Sequence, residues 1–421
     1  MIFVLMVAII YSIACGLINF PWLNDLSGLF GYQIGVYIIA FLAIVPGFFY
    51  VFNLLNILFH KNPLPIKPDI YPDITVIIPA YNAEKQVEAC VNSVLASKYD
   101  GQIFIIFVND GSTDSTYDVI ENKFKDRITI LNLEHKGKCF ALNEALKKVS
   151  TKYFITVDSD TIILPNSIQN IVGKILEEPY AAVAGTMLIK NSTSSFLTKI
   201  QAWDYSLGIF CVKLVQSFFK STLVTQGAFS IYRTDVVHEL GGWQNCIGED
   251  IVLTWGMLKK GYHTSFSPYS IALTTVPETL SHLVKQRKRW ARGMIEAFKR
   301  NRGILYAPNT PGNSRILLVF NIFFPFVDLA LTIFLNFGFI LLLFGNYLIV
   351  GPLFLCLIPL TLLMNALLNW KFKRAMMLAG HRYAIRHLNA FIIYILFFQL
   401  ILAPFCFIGC IQEFLYYKKT W

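Results

Sequence analysis

Long apolar segments stand at both ends of the chain, on either side of a more polar middle region. A helix needs about 20 mostly apolar residues to cross the roughly 30 Å of hydrocarbon in a bilayer. Segments of about that length or longer occupy residues 2–20, 33–59, 316–344, 347–370 and 388–417. They predict two transmembrane helices in residues 1–60, a water-facing domain in 61–314, and about three interfacial or transmembrane helices in 315–421.

Two of these segments have features that refine the prediction. The first lacks basic residues ahead of it and a small-residue cleavage site behind it, so we expect a retained helix and not a cleaved signal peptide. Segment 316–344 contains Pro325 and Asp328, and a carboxylate in mid-membrane costs on the order of 3 kcal/mol. We therefore expect this segment to begin as an interfacial helix that turns into a span.

Short β-branched runs alternate with amphipathic stretches in the middle region. DITVIIPAYNAE (73–84), QIFIIFVNDGSTDST (102–116) and KYFITVDSDTIILP (152–165) each have the pattern of a buried strand that ends in polar residues. TILNLEHKGKCFALNEALKKV (129–149) predicts a short strand, a glycine loop and a helix. The alternation predicts an α/β domain with a Rossmann-like, mostly parallel and doubly wound sheet, inserted between the transmembrane helices.

The positions of the basic residues predict the orientation in the membrane. The predicted outer loops 21–32 and 345–346 contain no Lys or Arg, whereas 371–387 contains five. By the positive-inside rule, that loop, the large domain and the N-terminus face the cytoplasm, in a multi-pass protein of the plasma (inner) membrane. Lys418 and Lys419 would then lie outside. Five units of the formal net charge of +10 lie on the membrane segments and their flanks, and we expect no nucleic-acid partner.

Several classes of site are absent from the sequence. There is no GxGxxG and no P-loop, so neither dinucleotide binding nor ATP hydrolysis is indicated. The eight cysteines include no CxxC, and no pair of histidines has zinc spacing, which favours free thiols in a reducing compartment.

Carboxylates follow the predicted strand ends, where doubly wound sheets bind their ligands. Asp158 and Asp160 are two residues apart, and a strand would aim both side chains the same way. Two hard oxygen ligands suit Mg²⁺ or Mn²⁺ bridging a diphosphate; the alternative is a loop cap. Asp110, in Asn-Asp-Gly, either accepts hydrogen bonds from a base or ribose or simply forms a turn. Lys138, beside the flexible Gly137, is either a phosphate contact or a surface lysine.

Glu249 and Asp250 stand just ahead of an amphipathic stretch. One of them is either a helix N-cap or a general base, a carboxylate that takes the proton from an attacking hydroxyl. Partial burial would raise its basicity. A single base suffices if the reaction inverts the sugar carbon in one displacement, with a metal and cations handling the leaving group.

The stretch VKQRKRWARG (284–293) places five cations around one tryptophan. On a helix, Gln286, Arg289 and Trp290 share one face, and the remaining cations spread over the others: Lys285, Arg287, Lys288 and Arg292. An arginine clamps a diphosphate, and an indole packs against the CH face of a sugar. The alternative, a basic stretch held by anionic lipid, does not explain the glutamine and tryptophan beside the arginine.

Taken together, the motifs resemble those of the processive family 2 glycosyltransferases, which include the cellulose, chitin, hyaluronan and poly-N-acetylglucosamine synthases. They run in order across about 74–293: VIIPAYNAE, VNDGSTD, GKCFALNEAL, VDSDT, TQGAFSIYR, GED and QRKRWARG. Q-x-x-R-W marks the processive membrane members. The resemblance implies a GT-A domain seated on transmembrane helices that form a polymer channel.

The resemblance also implies roles for single residues. On the donor side, Asp110 would contact the uridine and Lys138 the diphosphate, and Asp158 and Asp160 would hold the nucleotide sugar and its Mg²⁺ or Mn²⁺. Asp250 would be the base. The diphosphate and the end of the growing chain would be held by Gln286, Arg289 and Trp290, and the acceptor would be bordered by Thr225, Gln226, Gly227 and Glu249. We expect the partners to be a UDP-sugar donor, a growing polysaccharide, the lipid bilayer and a small accessory membrane subunit.

Within the family, PETLSHLVKQRKRWARG and the number of helices most resemble the bacterial poly-β-1,6-N-acetylglucosamine synthases, which implies UDP-N-acetylglucosamine as donor. The base motif here is Gly-Glu-Asp, where Thr-Glu-Asp is expected in those enzymes. A hyaluronan, chitin or cellulose type of synthase is therefore an alternative. A non-processive transferase acting on polyprenyl phosphate is another, and a transport or scaffold subunit with an inactive domain is a third.

Overall fold

The computed structural model describes residues 2–60, 64–349, 351–381 and 387–416, and leaves out the side chains of residues 2 and 351–360. The first helices are α1 (Ile2–Ile18), α2 (Phe20–Phe30), α3 (Tyr32–Ile39) and α4 (Val45–Phe59). A π-helical segment, Ala40–Ile44, joins α3 and α4 into a candidate membrane span of 28 residues that overlaps the predicted 33–59. A bend of 58° separates α1 from α2, so the predicted span 2–20 ends at this bend and the pair forms one span only as a bent unit.

The middle region folds around one mixed sheet. In the described ranges its eight strands are β1 (Ile74–Ala80), β2 (Ile103–Asp110), β3 (Thr129–Leu133), β4 (Tyr153–Val157), β5 (Ile162–Ile163), β6 (Tyr180–Ile189), β7 (Phe229–Arg233) and β8 (His263–Thr274). Their order across the sheet is β3-β2-β1-β4-β7-β6-β8-β5. β1 to β4 pair in parallel, as do β6 and β8, whereas β7 runs antiparallel to β4 and β6. The predicted α/β domain with a mostly parallel sheet is confirmed.

Helices cover both faces of the sheet. They are α5 (Val87–Leu95), α6 (Thr116–Phe124), α7 (Lys138–Leu146), α8 (Ser167–Leu176), α9 (Phe196–Trp203), α10 (Phe210–Phe218), α11 (Thr234–Glu239), α12 (Glu249–Lys259) and α13 (Leu280–Arg300). In β1, Val76 and Ile78 pack with α5, α6 and α8, while Ile77 points to the other face and packs with α7, α11 and α12. Because both faces are buried, β1 is a continuous apolar run and not an alternating one.

The chain ends in further apolar helices, α14 (Gly312–Ala330), α15 (Asn336–Leu343), α16 (Gly351–Leu378), α17 (Leu388–Ile393) and α18 (Gln399–Phe414). π-helical segments, Leu331–Leu335 and Tyr394–Phe398, join them into two continuous candidate spans, Gly312–Leu343 and Leu388–Phe414. Asp328 is buried, and its Oδ1 accepts a hydrogen bond of 3.2 Å from Gln399 Nε2. This contact gives the carboxylate within the first of these spans a polar partner.

Some residues on which the predicted topology rests lie outside the described residues: Lys61, Arg382, Arg386, Lys418 and Lys419. The predicted segment 347–370 overlaps α16, but the side chains at the start of that helix are not described.

The terminal helices and the sheet domain share an apolar core, which fixes the position of α13. Phe210 of α10 packs against Phe266 of β8 and Phe372 of α16, with ring centres 5.5 and 5.1 Å apart. A Cβ added to Gly409 of α18 would lie 2.7 Å from the carbonyl oxygen of Lys288 in α13. The helix that carries the cationic motif therefore packs backbone to backbone on the last apolar helix.

Candidate active site

The polar clusters meet at one edge of the sheet, where the parallel strands β1, β2 and β4 end. Asp110 is the last residue of β2, and Asp158 follows β4 directly. β1 lies between these strands, with Ala80 in register with Asn109. Residues far apart in the sequence thus reach the same edge.

Asp110 is buried and holds a neighbouring loop in place. Its Oδ1 accepts the backbone N–H of Lys136 and its Oδ2 that of Gly137, both at 3.0 Å. His135 Nδ1 lies 2.9 Å from Asp110 Oδ2. A Cβ on Gly111 would lie 2.5 Å from the backbone nitrogen of His135, so the strand end and the loop are in close contact. The expected contact of Asp110 with uridine stays a prediction.

Tyr81 and His135 form a stacked pair beside Asp110 that the sequence did not predict. Their ring centres are 4.0 Å apart and their planes 21° apart. Tyr81 follows β1 and is exposed, so it offers a flat aromatic face to a ligand at the strand ends. The sequence signal that could have identified Tyr81 is its position in PAYNAE, at a predicted strand end.

Lys138 and Asp158 are in direct contact through Nζ and Oδ1. Burial lowers the pKa of Lys138, but the carboxylates of Asp158 and Glu249 outweigh it and the net pKa is raised, so this side chain is a cation. The Asp158 N–H donates to the Ala228 carbonyl at 3.3 Å, which brings the TQG turn alongside. A Cβ on Gly227 would lie 3.1 Å from Lys138 Nζ. Gly227 therefore borders the lysine; its expected place beside the acceptor stays a prediction.

Asp160 lies beside Asp158 in a partly buried position, and its Oδ1 accepts a hydrogen bond of 3.2 Å from the Thr161 hydroxyl. Burial and the charge of Asp158 raise the pKa of Asp160. No group of three or more His, Cys, Asp or Glu side chains suited to a metal occurs in the part of the chain that the structure describes. A metal at these two carboxylates would complete its coordination with ligand and water oxygens.

Glu249 and Asp250 are the first two residues of α12, and Gly248 occupies the cap position without a side-chain cap bond. The N-cap interpretation is therefore wrong. Burial and the neighbouring Asp250 raise the pKa of Glu249 to about 7, although Lys138 opposes the shift. One cation and four carboxylates thus interact electrostatically at one place, although they come from segments far apart in the chain. The cation is Lys138, and the carboxylates are those of Asp158, Asp160, Glu249 and Asp250.

Two glycines, Gly248 and Gly293, let the segment with the base motif pack closely against α13. A Cβ on Gly248 would lie 2.7 Å from the Cα of Gly293, and a Cβ on Gly293 would lie 3.0 Å from the Cα of Gly248. One turn further along α13, Glu296 Oε2 accepts the Ile247 N–H at 2.9 Å. The segment carrying Asp250 and the helix carrying Gln286, Arg289 and Trp290 are thus in backbone contact.

On α13, Arg289 is exposed, whereas the Gln286 Oε1 is buried and has no hydrogen-bond partner in the described ranges. Trp290 packs in a small apolar cluster that includes Tyr205. Burial raises the pKa of Tyr205 to about 12; Arg287 opposes this shift, and Asp204 and Asp160 add to it. The roles of Gln286, Arg289 and Trp290 stay predictions.

The side chains of Thr225 and Gln226 are engaged within the protein. Thr225 Oγ1 lies 2.6 Å from Thr254 Oγ1 on α12, and Gln226 Nε2 donates to the Gly185 carbonyl at 2.6 Å. Gln226 Oε1 contacts the ammonium group of Lys213, a buried residue of α10 that the sequence did not single out. Burial lowers the pKa of Lys213 to about 7, against the pull of Asp250.

Comparisons with known proteins identify the family of the chain. The model of the family described as "Glycosyltransferase like family 2" matches residues 72–293. The poly-β-1,6-N-acetyl-D-glucosamine synthase of Staphylococcus aureus (strain COL) is 35% identical over 245 residues, which cover 56% of this chain and 58% of that protein. The corresponding synthase of Staphylococcus epidermidis is 33% identical over 232 residues, or 54% and 56% of the two chains. The chain thus matches just over half the length of these relatives.

A solved structure shares the fold along most of the chain. It is the mannosyltransferase PcManGT from Pyrobaculum calidifontis, solved with GDP-Man and Mn²⁺, with a TM-score of 0.62 and 16% identity. The match covers 91% of this chain and 99% of that one. The predicted GT-A fold is confirmed.

Proposed function

The chain belongs to glycosyltransferase family 2, and we propose that it is a processive, inverting enzyme that polymerises a β-linked polysaccharide from a UDP-sugar. The donor we propose is UDP-N-acetylglucosamine and the product poly-β-1,6-N-acetylglucosamine, because the two staphylococcal relatives are synthases of that polymer.

One observation carries the proposal: Lys138 lies among the carboxylates of Asp158, Asp160, Glu249 and Asp250 at the edge of the sheet. A cation beside a pair of hard oxygen ligands suits a diphosphate and its counter-ion. The acids at the start of α12 complete the site on the acceptor side.

Asp158 and Asp160 fit a divalent cation, Mg²⁺ or Mn²⁺. They are two hard ligands side by side, and burial together with the charge of Asp158 raises the pKa of Asp160. A cation bound there would neutralise charge on the departing diphosphate. Lys138, and Arg289 on α13, would add fixed positive charge to the same leaving group.

We assign the role of base to Asp250. Its carboxylate takes the proton from the acceptor hydroxyl as that oxygen bonds to the anomeric carbon and the bond from that carbon to UDP breaks. Attack from the face opposite the leaving group inverts the carbon. Trp290 packs against the terminal sugar and holds its hydroxyl near the base. Gln286, whose carbonyl oxygen has no hydrogen-bond partner among the described residues, offers an acceptor to a sugar hydroxyl.

The apolar helices support a location of this chemistry at a membrane. We propose a multi-pass protein of the plasma (inner) membrane whose catalytic domain faces the cytoplasm, with the polysaccharide leaving through the protein's own helices. Direct packing of α13 on α18 supports this, since it puts the helix that carries Gln286, Arg289 and Trp290 beside a candidate span.

Purified protein supplied with Mg²⁺ or Mn²⁺ and each UDP-sugar in turn tests the proposal. We expect metal-dependent UDP release with UDP-N-acetylglucosamine and a ladder of products that a β-1,6-specific hydrolase degrades. The Asp158→Asn/Asp160→Asn double variant is the control and should be inactive. A ladder from another UDP-sugar would instead identify a hyaluronan, chitin or cellulose type, and a single lipid-linked sugar a polyprenyl-phosphate transferase. Activity in native membranes alone would indicate the accessory subunit.

A further inference from the structure

A buried ion pair joins the cationic helix α13 to the helix formed by α9 and α10. Arg287 Nη2 donates to Asp204 Oδ2 at 2.6 Å, and the side chains are only 11% and 14% exposed. The guanidinium carbon of Arg287 also lies 4.4 Å from the ring centre of Trp290 and 5.7 Å from that of Phe398. The Arg287 cation thus contacts three helices. Its burial excludes the alternative that this side chain is held by anionic lipid.

The residues that Arg287 contacts outside α13 both lie in π-helical segments. Asp204 begins the segment Asp204–Ile209 between α9 and α10, and Phe398 ends the segment Tyr394–Phe398 before α18. Single π-helical turns of this kind occur frequently at functional sites. Between the segments, a Cβ on Gly208 would lie 3.0 Å from Asp204 Oδ1 and 3.3 Å from the Tyr394 hydroxyl. The carboxylate that holds Arg287 is therefore itself tightly packed.

Charge and shape both suit Arg287 to hold an indole. Burial lowers its pKa, but Asp204 outweighs this and the net pKa is raised, so the side chain stays cationic. The Arg287 Nε has no hydrogen-bond partner among the described residues, so the ion pair and the aromatic faces are what hold the guanidinium. A planar guanidinium stacks on an aromatic ring, which the ammonium group of a lysine does not do.

Trp290 also packs with residues close to Asp204 in the sequence. Its apolar cluster contains Ala202 and Tyr205, which flank the ion-paired carboxylate in the sequence. A shift of Asp204 would therefore disturb both the cation over the indole and the apolar contacts beside it.

We propose that Arg287, paired with Asp204, is a positioning residue that fixes the indole of Trp290 in the orientation in which it packs against the terminal sugar. The inference rests on the proposed function and deepens it, because the residence of the chain end at Trp290 sets how many sugars are added before the polymer leaves. Arg287 does not touch the reacting atoms.

The first test compares product length in Arg287→Lys and Arg287→Met with the wild type. We expect the KM for the UDP-sugar to be unchanged and the median polymer length to fall about three- to thirtyfold in Arg287→Met, the range that corresponds to a lost cation–π contact. Arg287→Lys keeps a cation but loses the planar stack on the indole, and should also shorten the polymer. Asp204→Asn should shorten the polymer to a similar degree. The double variant Asp204→Asn/Arg287→Lys should be no shorter than either single variant, because the two residues act as one unit.

Arg292→Lys is the matched control. Arg292 lies on the same helix and forms an equally buried ion pair, with its Nε 3.2 Å from Glu413 Oε2 of α18. If the Arg287 variants shortened the polymer only because they weaken the packing of α13, Arg292→Lys would shorten it as well. We expect it to keep the wild-type length.

A spectroscopic measurement tests the indole without relying on activity. The near-ultraviolet circular dichroism of the wild type minus that of Trp290→Phe isolates the signal of Trp290. This difference spectrum should become much weaker when both proteins carry Arg287→Lys, and should be retained when both carry Arg292→Lys. An unchanged difference, or Arg287 variants with wild-type polymer length, would overturn the inference while leaving the proposed function intact. A wild type that makes no polymer from any UDP-sugar would instead overturn the proposed function.

Discussion

At the scale of single residues, the environments of Glu249 and Asp250 assign different roles to two neighbouring acids. Burial and repulsion keep the pKa of Glu249 near 7, and Asp250 stands one residue further into α12. Asp250 helps to raise the pKa of Lys138 and opposes the lowering of the pKa of Lys213. One turn further along α12, the Thr254 hydroxyl contacts Thr225 of the TQG turn. These contacts support the role of base that we propose for Asp250.

Asp250→Asn should abolish transfer and leave UDP binding nearly intact. Loss of a general base lowers the rate by about 10²–10⁴-fold, while the groups assigned to the nucleotide remain in place. UDP release measures the first effect and calorimetric titration with UDP the second. Loss of UDP binding together with activity would make Asp250 a structural residue.

Glu249→Gln should change the pH dependence of the reaction. Because the folded protein raises the pKa of Glu249 to about 7, the wild type keeps this proton below pH 7 and loses it above. The added negative charge increases the basicity of Asp250, so kcat should rise with pH through an apparent pKa near 7 that belongs to the pair. The glutamine variant should lack this rise. A rise that persists unchanged in the variant would exclude Glu249 as its source.

The sequence predicted the residues whose chemistry shows in local motifs. Asp110, Lys138, Asp158 and Asp160 follow strand ends or a glycine loop, and the parallel topology brings such positions together. Lys213 was not found because it lies in an amphipathic helix, and nothing local shows that Gln226 is its partner. The stack of Tyr81 on His135 likewise depends on a loop held by Asp110 across 25 residues of chain.

At the scale of elements, the start of α12 and the middle of α13 meet through Gly248 and Gly293. Neither glycine has a positive φ, so the requirement is space and not backbone conformation. The Gly-Glu-Asp motif, in place of the expected Thr-Glu-Asp, therefore has a physical reason in this chain. A side chain at residue 248 would push the base away from the helix that carries Arg289 and Trp290.

Gly248→Thr should lower kcat on the order of 10²-fold, because a displacement of about 1 Å between reacting groups has that effect. Gly312→Ala is the matched control, since a Cβ there would meet nothing within 4 Å. Steady-state UDP release from both variants is the measurement. A threonine variant with wild-type kcat would show that the two helices separate without consequence.

Elements with strong local patterns were predicted well, and those set by long-range packing were not. α7 and the strands β1, β2 and β4 lie where the sequence pattern places them. The strands are recognisable because buried parallel strands are continuous apolar runs. The antiparallel strand β7 was missed, since direction depends on its neighbours β4 and β6. The bend between α1 and α2 was missed because both helices are apolar on either side of it.

At the scale of the whole molecule, an α/β domain is seated on apolar helices from both ends of the chain. Apolar runs at the two ends and strand–helix alternation between them predicted this architecture. The sequence could not predict how α13 lies on α18, because that contact depends on Gly409 meeting the backbone at Lys288. The shared core makes the catalytic edge and the membrane helices one packed unit.

The predicted orientation can be tested by labelling introduced cysteines in intact cells. Asn346→Cys, in a predicted outer loop, should react with a membrane-impermeant maleimide, whereas Asp126→Cys on the sheet domain should react only after the cells are permeabilised. Both positions are exposed in the structure. The opposite pattern would place the catalytic domain outside the cytoplasm.

The most direct test of the account is an experimental structure of the Asp250→Asn variant with UDP and Mn²⁺. The variant halts turnover and retains the groups assigned to the nucleotide. We predict the diphosphate beside Lys138, with the metal held by Asp158 and Asp160, and residue 250 facing the space next to it. A nucleotide bound elsewhere, or carboxylates that point apart with no room for a diphosphate between them, would contradict the account.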